Sequence, residues 1–120
     1  MLLDSNIIIY TVKPGYDYVR TFVKQHSVSA SAISQVEALG YHDLGTAESQ
    51  KLTRLFGLLT VVPVTDSVIQ RSIDLRQQRE GMTTVDAIIA ATALVSGNAL
   101  VTHDTADFGW IDELDVIDPV

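Results

Sequence analysis

The sequence predicts an α/β fold, a three-layer sandwich in which a parallel sheet is covered by helices on both faces. Two observations carry that expectation. Short apolar runs alternate along the chain with longer segments whose apolar residues repeat at helical spacing. Strands separated by helices in this way argue for a parallel sheet buried on both sides. A third observation sets the scale: 120 residues without a repeat, a low-complexity tract or a linker make one domain spanning 1–120.

The elements follow in order. Met1-Leu2-Leu3 reads as a short buried strand that ends at Asp4, with a helix starting near Asn6. Residues 16–25 place Val19, Phe22 and Val23 at helical spacing, and residues 27–30 make a second short strand. Segments 31–43 and 46–58 read as helices. Val61-Val62-Pro63-Val64 is a third strand, at an edge or ending there, because proline cannot donate to a ladder. Residues 67–79 form an amphipathic helix closed by Gly81. Residues 84–95 form a helix rich in alanine and isoleucine, closed by Gly97. Ala99-Leu100-Val101-Thr102 is a fourth strand and Val116-Ile117 a fifth.

Composition narrows the function classes. The apolar fraction of 47% is enough to fill a core. The absence of cysteine rules out a disulfide framework and a thiolate metal site, and it suits a reducing cytosol. The N-terminus lacks the basic and apolar regions of a signal peptide, and no stretch approaches the roughly 20 apolar residues of a membrane helix. The expectation is a soluble, cytoplasmic protein. A formal charge of −7 cuts against holding nucleic acid by a basic stripe. The eight Lys and Arg residues read as scattered, with a loose group at Arg71, Arg76 and Arg79. A phosphate-bearing substrate would need metal ions in a carboxylate cluster, a basic partner or a symmetry mate.

Carboxylates among apolar neighbours are the informative residues. Asp4 follows the first strand, so it is expected at the carboxyl edge of the sheet, where open α/β folds bind ligands. It serves equally well as the N-cap of the next helix. Glu37 shares a helical face with Ile33, Val36, Gly40 and Tyr41, where a buried carboxylate needs a partner or a metal. The rival reading is a capping box, Ser34-x-x-Glu37. Asp86 aligns with Ile89, Ala90 and Ala93, yet Thr83-x-x-Asp86 also resembles a cap, and the small Ala87, Ala90 and Ala91 let this helix lie close to the sheet. Asp104 follows the fourth strand and reaches the same edge as Asp4; Asp107 joins it or begins a short helix around Phe108–Ile111. Four acids converging from separate segments repel one another without cations, and oxygen-only ligands suit Mg²⁺ or Mn²⁺. His26 and His42 read as surface residues at helix ends, and His103 adjoins the proposed site. The sequence has no nucleophile-elbow serine and no glycine-rich phosphate loop.

Four motifs in order, Leu3-Asp4-Ser5-Asn6, Ser31-x-Ile33-Ser34-x-x-Glu37, Asp86-Ala87-x-Ile89-Ala90-Ala91-x-Ala93 and Val101-Thr102-x-Asp104-x-x-Asp107-Phe108, resemble the PIN domain. The similarity is greatest to the VapC-type toxins of bacterial toxin–antitoxin pairs, and it covers nearly the whole chain. The resemblance implies a sheet of order 3-2-1-4-5, which puts Asp4 and Asp104 on the strands flanking the reversal point. It implies Mg²⁺- or Mn²⁺-dependent cleavage of single-stranded RNA or exposed tRNA loops, a cognate antitoxin and a homodimer. Asp4, Glu37, Asp86 and Asp104 match the acidic positions, with Asp107 as an accessory ligand. Ser5, Asn6 and Thr102 match polar positions that orient the acids. The family's basic residue before the third acid is absent, with Thr83-Thr84-Val85 in its place.

The expected mechanism is in-line attack of a metal-oriented water on phosphorus, with Glu37 available to accept the proton. A receiver-type signalling domain would show paired acids after the first strand and a lysine near the last, and the chain has no lysine after Lys51. A haloacid-dehalogenase-like phosphatase would need Asp-x-Asp where Asp4-Ser5-Asn6 stands. The more serious rival is a non-enzymatic PIN scaffold that binds RNA or a partner. Tyr16, Val19 and Val23 are expected as exposed apolar contacts for self-association.

Overall fold

In the computed structural model, which describes residues 1–119, the chain runs β1 (Leu2–Leu3), α1 (Ser5–Tyr10), α2 (Asp17–Gln25), β2 (Ser29–Ser31), α3 (Ala32–Leu39) and α4 (Thr46–Leu58). It continues through β3 (Thr60–Val62), α5 (Asp66–Gln78), α6 (Thr84–Ser96), β4 (Leu100–Val101), α7 (Thr105–Phe108) and β5 (Val116–Ile117). All four strand pairings are parallel, and the sheet order is β3-β2-β1-β4-β5. This is the order implied by the resemblance. Pro63 lies just past β3, an edge strand, where its missing N–H costs no ladder bond.

Alternation along each strand builds the three layers. Leu2, Leu100 and Val116 face a cluster completed by Val68 and Leu75 of α5 and the buried face of α6. Leu3, Ala30, Val101 and Ile117 face the opposite cluster, with Ile7 and Ile8 of α1, Val19 of α2 and Leu52 and Phe56 of α4. Every residue of α6 from Ala87 to Ala93 is buried, and its alanines permit the close approach expected of them. The helix ends at Gly97, whose φ of 70° is the left-handed conformation that lets Asn98 N–H bond back to the Ala93 carbonyl at 2.8 Å.

Two expectations about helices need correction. The segment 31–43 is helical only to Leu39. Any side chain at Gly40 would put a Cβ 2.3 Å from the Val36 carbonyl oxygen, and the chain turns away there. Helix α2 does not offer the exposed apolar face expected of Tyr16, Val19 and Val23. Val19 is fully buried, and the other two are half-buried in the same cluster. The large apolar side chains left exposed include Val36, Ile69 and Ile73 instead. Among the described residues, no helix is long and apolar enough to cross a membrane.

Candidate functional site

Asp4 sits where β1 gives way to α1. Its N–H extends the parallel ladder to the Val101 carbonyl at 2.9 Å, and its side chain then caps the helix, Oδ1 accepting from Ser5 N–H at 2.8 Å. The cap reading and the edge reading are therefore both true of this residue. Oδ2 accepts from Thr102 Oγ1 at 2.8 Å, a contact that spans the reversal point between β1 and β4. Asp4 is only 4% exposed, so both bonds fix its carboxylate with little help from water.

Thr102 also orders the second acidic segment, because its hydroxyl oxygen accepts from Asp104 N–H at 3.0 Å. Asp104 stands before α7 but makes no side-chain cap bond. Its Oδ2 accepts instead from Asn6 Nδ2 at 3.0 Å, so α1 and the β4–α7 segment are tied at the site. Asp107 is exposed and lies inside α7, which spans Thr105–Phe108 rather than starting at Asp107. Phe108 beside it is buried and anchors the segment. Ser5 donates from Oγ to Ser34 Oγ at 2.9 Å, joining α1 to α3.

The other two acids come from helices. Ser34 is no N-cap: α3 is capped by Ser31, so the capping-box reading of Glu37 fails. The expectation that Glu37 is buried on an apolar face fails too. Glu37 is exposed, as are Val36, Gly40 and Tyr41, because this face of α3 has nothing packed on it. Asp86 is half-buried in the first turn of α6, and Thr83 caps that helix through Asp86 N–H at 3.1 Å.

Electrostatics links all five carboxylates. Burial pushes the Asp4 carboxyl up to about 6 against its hydrogen bonds to Thr102 and Ser5, and the charges of Asp86 and Asp104 push it further in the same direction. Asp86 is raised chiefly by burial, then by Asp107, Glu37 and Asp104. Among the described residues, no Lys or Arg pairs with any of these five acids. The set thus calls for a cation and offers only oxygen donors, which fits a hard divalent ion. As the side chains stand, no three acids or histidines among the described residues gather closely enough to surround an ion. Mg²⁺ needs no such cage, since it keeps several waters and takes one or two carboxylates plus substrate oxygens. On that ground the residues fit the metal.

The basic residues are not scattered. Lys13, Arg20, Lys24, Lys51 and Arg54, five of the eight, line one groove beside the residues that lead into β2 and β3. The group Arg71, Arg76 and Arg79 is tied down locally: Arg71 pairs with Glu113, Arg76 Nε donates to the Met82 carbonyl, and Arg79 lies over the Trp110 ring. Sequence reasoning also missed the buried hydroxyls behind the site. Ser34 holds Ser5, while Thr92 of α6 donates to Ser31, the last residue of β2 and the cap of α3, at 3.1 Å. Hydroxyls inside helical segments gave no local signal that they face inward.

The family model for the PIN domain matches residues 1–114. Among solved structures, the chain is similar to a chain of the toxin–antitoxin complex from Klebsiella pneumoniae at 25% identity and a TM-score of 0.82, covering 99% of this chain and 97% of that one. FitAcB from Neisseria gonorrhoeae matches at 25% identity and 0.78, with 98% and 96% covered. DNA-bound VapBC from Salmonella typhimurium shares the fold at 20% identity and 0.81, with 99% and 97% covered. No protein of curated function matches the sequence.

Proposed function

Because the chain belongs to the PIN domain family, we propose that it is a Mg²⁺- or Mn²⁺-dependent endoribonuclease, the toxin of a toxin–antitoxin pair, acting on single-stranded RNA or exposed tRNA loops. The observation that carries this reading is the set of five mutually repelling carboxylates at one sheet edge with no Lys or Arg paired to them. A scaffold that only bound RNA would gain nothing from such a set. Carboxylates repel phosphate unless a cation stands between them.

Asp4, Asp86 and Asp104 would hold the ion, with Glu37 and Asp107 at the rim. When bound, the ion lowers the pKa of the attacking water and neutralises charge on the phosphoryl oxygens. The chain's own residues do the rest. Thr102 and Ser5 N–H fix both oxygens of Asp4. Asn6 aims Asp104. Glu37, exposed and held by no cap, takes the proton from the water. No side chain acts as a covalent nucleophile.

An antitoxin partner is supported by the likeness at 25% identity to a chain of the toxin–antitoxin complex from Klebsiella pneumoniae. On this reading the protein acts in the cytoplasm, where single-stranded RNA and tRNA are its substrates. A homodimer would use exposed apolar residues such as Ile69 and Ile73 of α5 in place of α2. The test is cleavage of single-stranded RNA by the purified chain with Mg²⁺, Mn²⁺ or EDTA. Cleavage is expected with either metal, and its loss in EDTA and in Asp86→Asn. Full activity in EDTA would overturn the reading.

A further inference from the structure

Beside the acids lies an aromatic shelf that the proposed hydrolysis does not use. Tyr10 and Tyr16 stack with ring centres 4.4 Å apart and planes 2° apart. His103 tilts against Tyr10 at 5.5 Å and against Tyr18 at 6.3 Å, and Tyr18 in turn lies 6.1 Å from Tyr16. The shelf is continuous with the site on two sides. His103 sits between Thr102 and Asp104 in the chain. Tyr10 follows Asn6, the residue that holds Asp104, by four positions on α1, so both occupy one helix face. His103 is fixed from behind by a 2.8 Å bond between its Nδ1 and Asp118. A purely structural role accounts for Tyr10 and Tyr16, which pack into the core cluster. It does not account for Tyr18, which is 44% exposed.

We infer that the exposed ring of Tyr18, braced by Tyr16 and His103 at tilts of 43° and 58°, stacks an unpaired base of the RNA next to the phosphate held at the acids. This rests on the ribonuclease reading and names the form of substrate that the site accepts. The argument for a base as occupant is electrostatic. No Lys or Arg among the described residues pairs with the acids, and five of the eight basic side chains lie in the groove at the other end of β2 and β3. The acids are thus left to a cation, and an uncharged contact is the affinity that the neighbouring aromatic side chains can add at this edge. Stacking on an aromatic face needs no charge and accepts any base, provided that the base is not already stacked in a duplex.

The experiment uses the full chain and a fluorescein-labelled pool of random-sequence single-stranded RNA. Binding is read by anisotropy with Ca²⁺, and cleavage of the same pool with Mg²⁺. Tyr18→Ala is expected to weaken binding about tenfold and to raise KM by the same factor, with kcat nearly unchanged. Tyr18→Phe keeps the ring face and should behave as the parent. Tyr18→Phe should leave Tm unchanged, and Tyr18→Ala, which removes a partly exposed ring, should lower it only slightly. Parental affinity in Tyr18→Ala overturns the inference. So does failure of the parent protein to bind the pool, since stacking is tolerant of sequence. Binding that is lost in Tyr18→Ala, with no cleavage by any form, would instead retain the shelf and overturn the ribonuclease reading.

Discussion

At the carboxyl ends of the strands, five acids stand with no Lys or Arg paired to them, whereas the groove where the chain enters β2 and β3 collects five of the eight basic side chains. A parallel sheet makes this possible because its two edges are built from different loops, one set after the strands and one before them. The separation has a physical consequence. Lysines placed among the acids would neutralise them and remove the demand for a metal. Placed at the far end, they leave the acids repelling one another. The groove's cations are partly occupied, Lys13 lying 3.6 Å from Glu48 and Arg20 pairing with Asp17. A net charge of −7 describes neither edge.

Asp4→Asn tests the acidic edge most severely. RNA cleavage is expected to fall by about a thousandfold, while the metal-free protein becomes more stable. The sign follows from the raised carboxyl. Between 3.8 and about 6 the folded protein binds a proton that the unfolded chain releases, so stability falls as pH rises through that window. The loss at neutral pH is about 3 kcal/mol, part of which the variant retains because Asn satisfies its neighbours less well. Thermal melts in EDTA at pH 4 and 7.5 should show a large decrease for the parent and a small one for Asp4→Asn. Saturating Mg²⁺ or Mn²⁺ should restore the parent by about 2–3 kcal/mol and leave the variant nearly unmoved. A parent protein equally stable at both pH values in EDTA would break the comparison.

A smaller effect ranks the two acids of the last motif. Asp104 is aimed by Asn6 and backed by Thr102, whereas Asp107 is exposed on α7 and reaches Asp86 only through its charge. Metal titration should show a loss of about 10- to 100-fold in affinity for Asp104→Asn and a few-fold loss for Asp107→Asn. A greater loss at Asp107 would reverse the ranking, and equal losses would make both direct ligands.

Much of the acidic edge was legible because strand ends are legible. Asp4 and Asp104 each follow an apolar run, and a parallel sheet must bring such ends to one side. Glu37 was selected through a wrong picture of its surroundings, since a helical wheel does not reveal which face receives a neighbour. Ser34 resembles a cap locally because its partner Ser5 lies 29 residues away, and Thr92 gives no local sign of its bond to Ser31, 61 residues away. The basic groove was invisible for the same reason. Lys13, Lys24 and Lys51 come from separate segments, and only the packing of α2 and α4 into one cluster makes them neighbours.

The smallest expected effect concerns that groove, and it is the sharpest test of the separation. If the acids and the aromatic shelf bind short RNA without help from the far edge, then Lys51→Glu combined with Arg54→Glu should leave kcat/KM on a short single-stranded substrate within about twofold. The slope of log kcat/KM against log salt should also stay constant, because each Lys or Arg contact to a phosphate releases counterions and contributes about 0.7 to such a slope on single strands. Both residues are exposed, and neither is paired with an acid among the described residues, so charge reversal should not cost the fold. A tenfold fall in kcat/KM with a slope shallower by about 1 to 2 would show RNA phosphates reaching the groove, and the two edges would then form one track around the molecule.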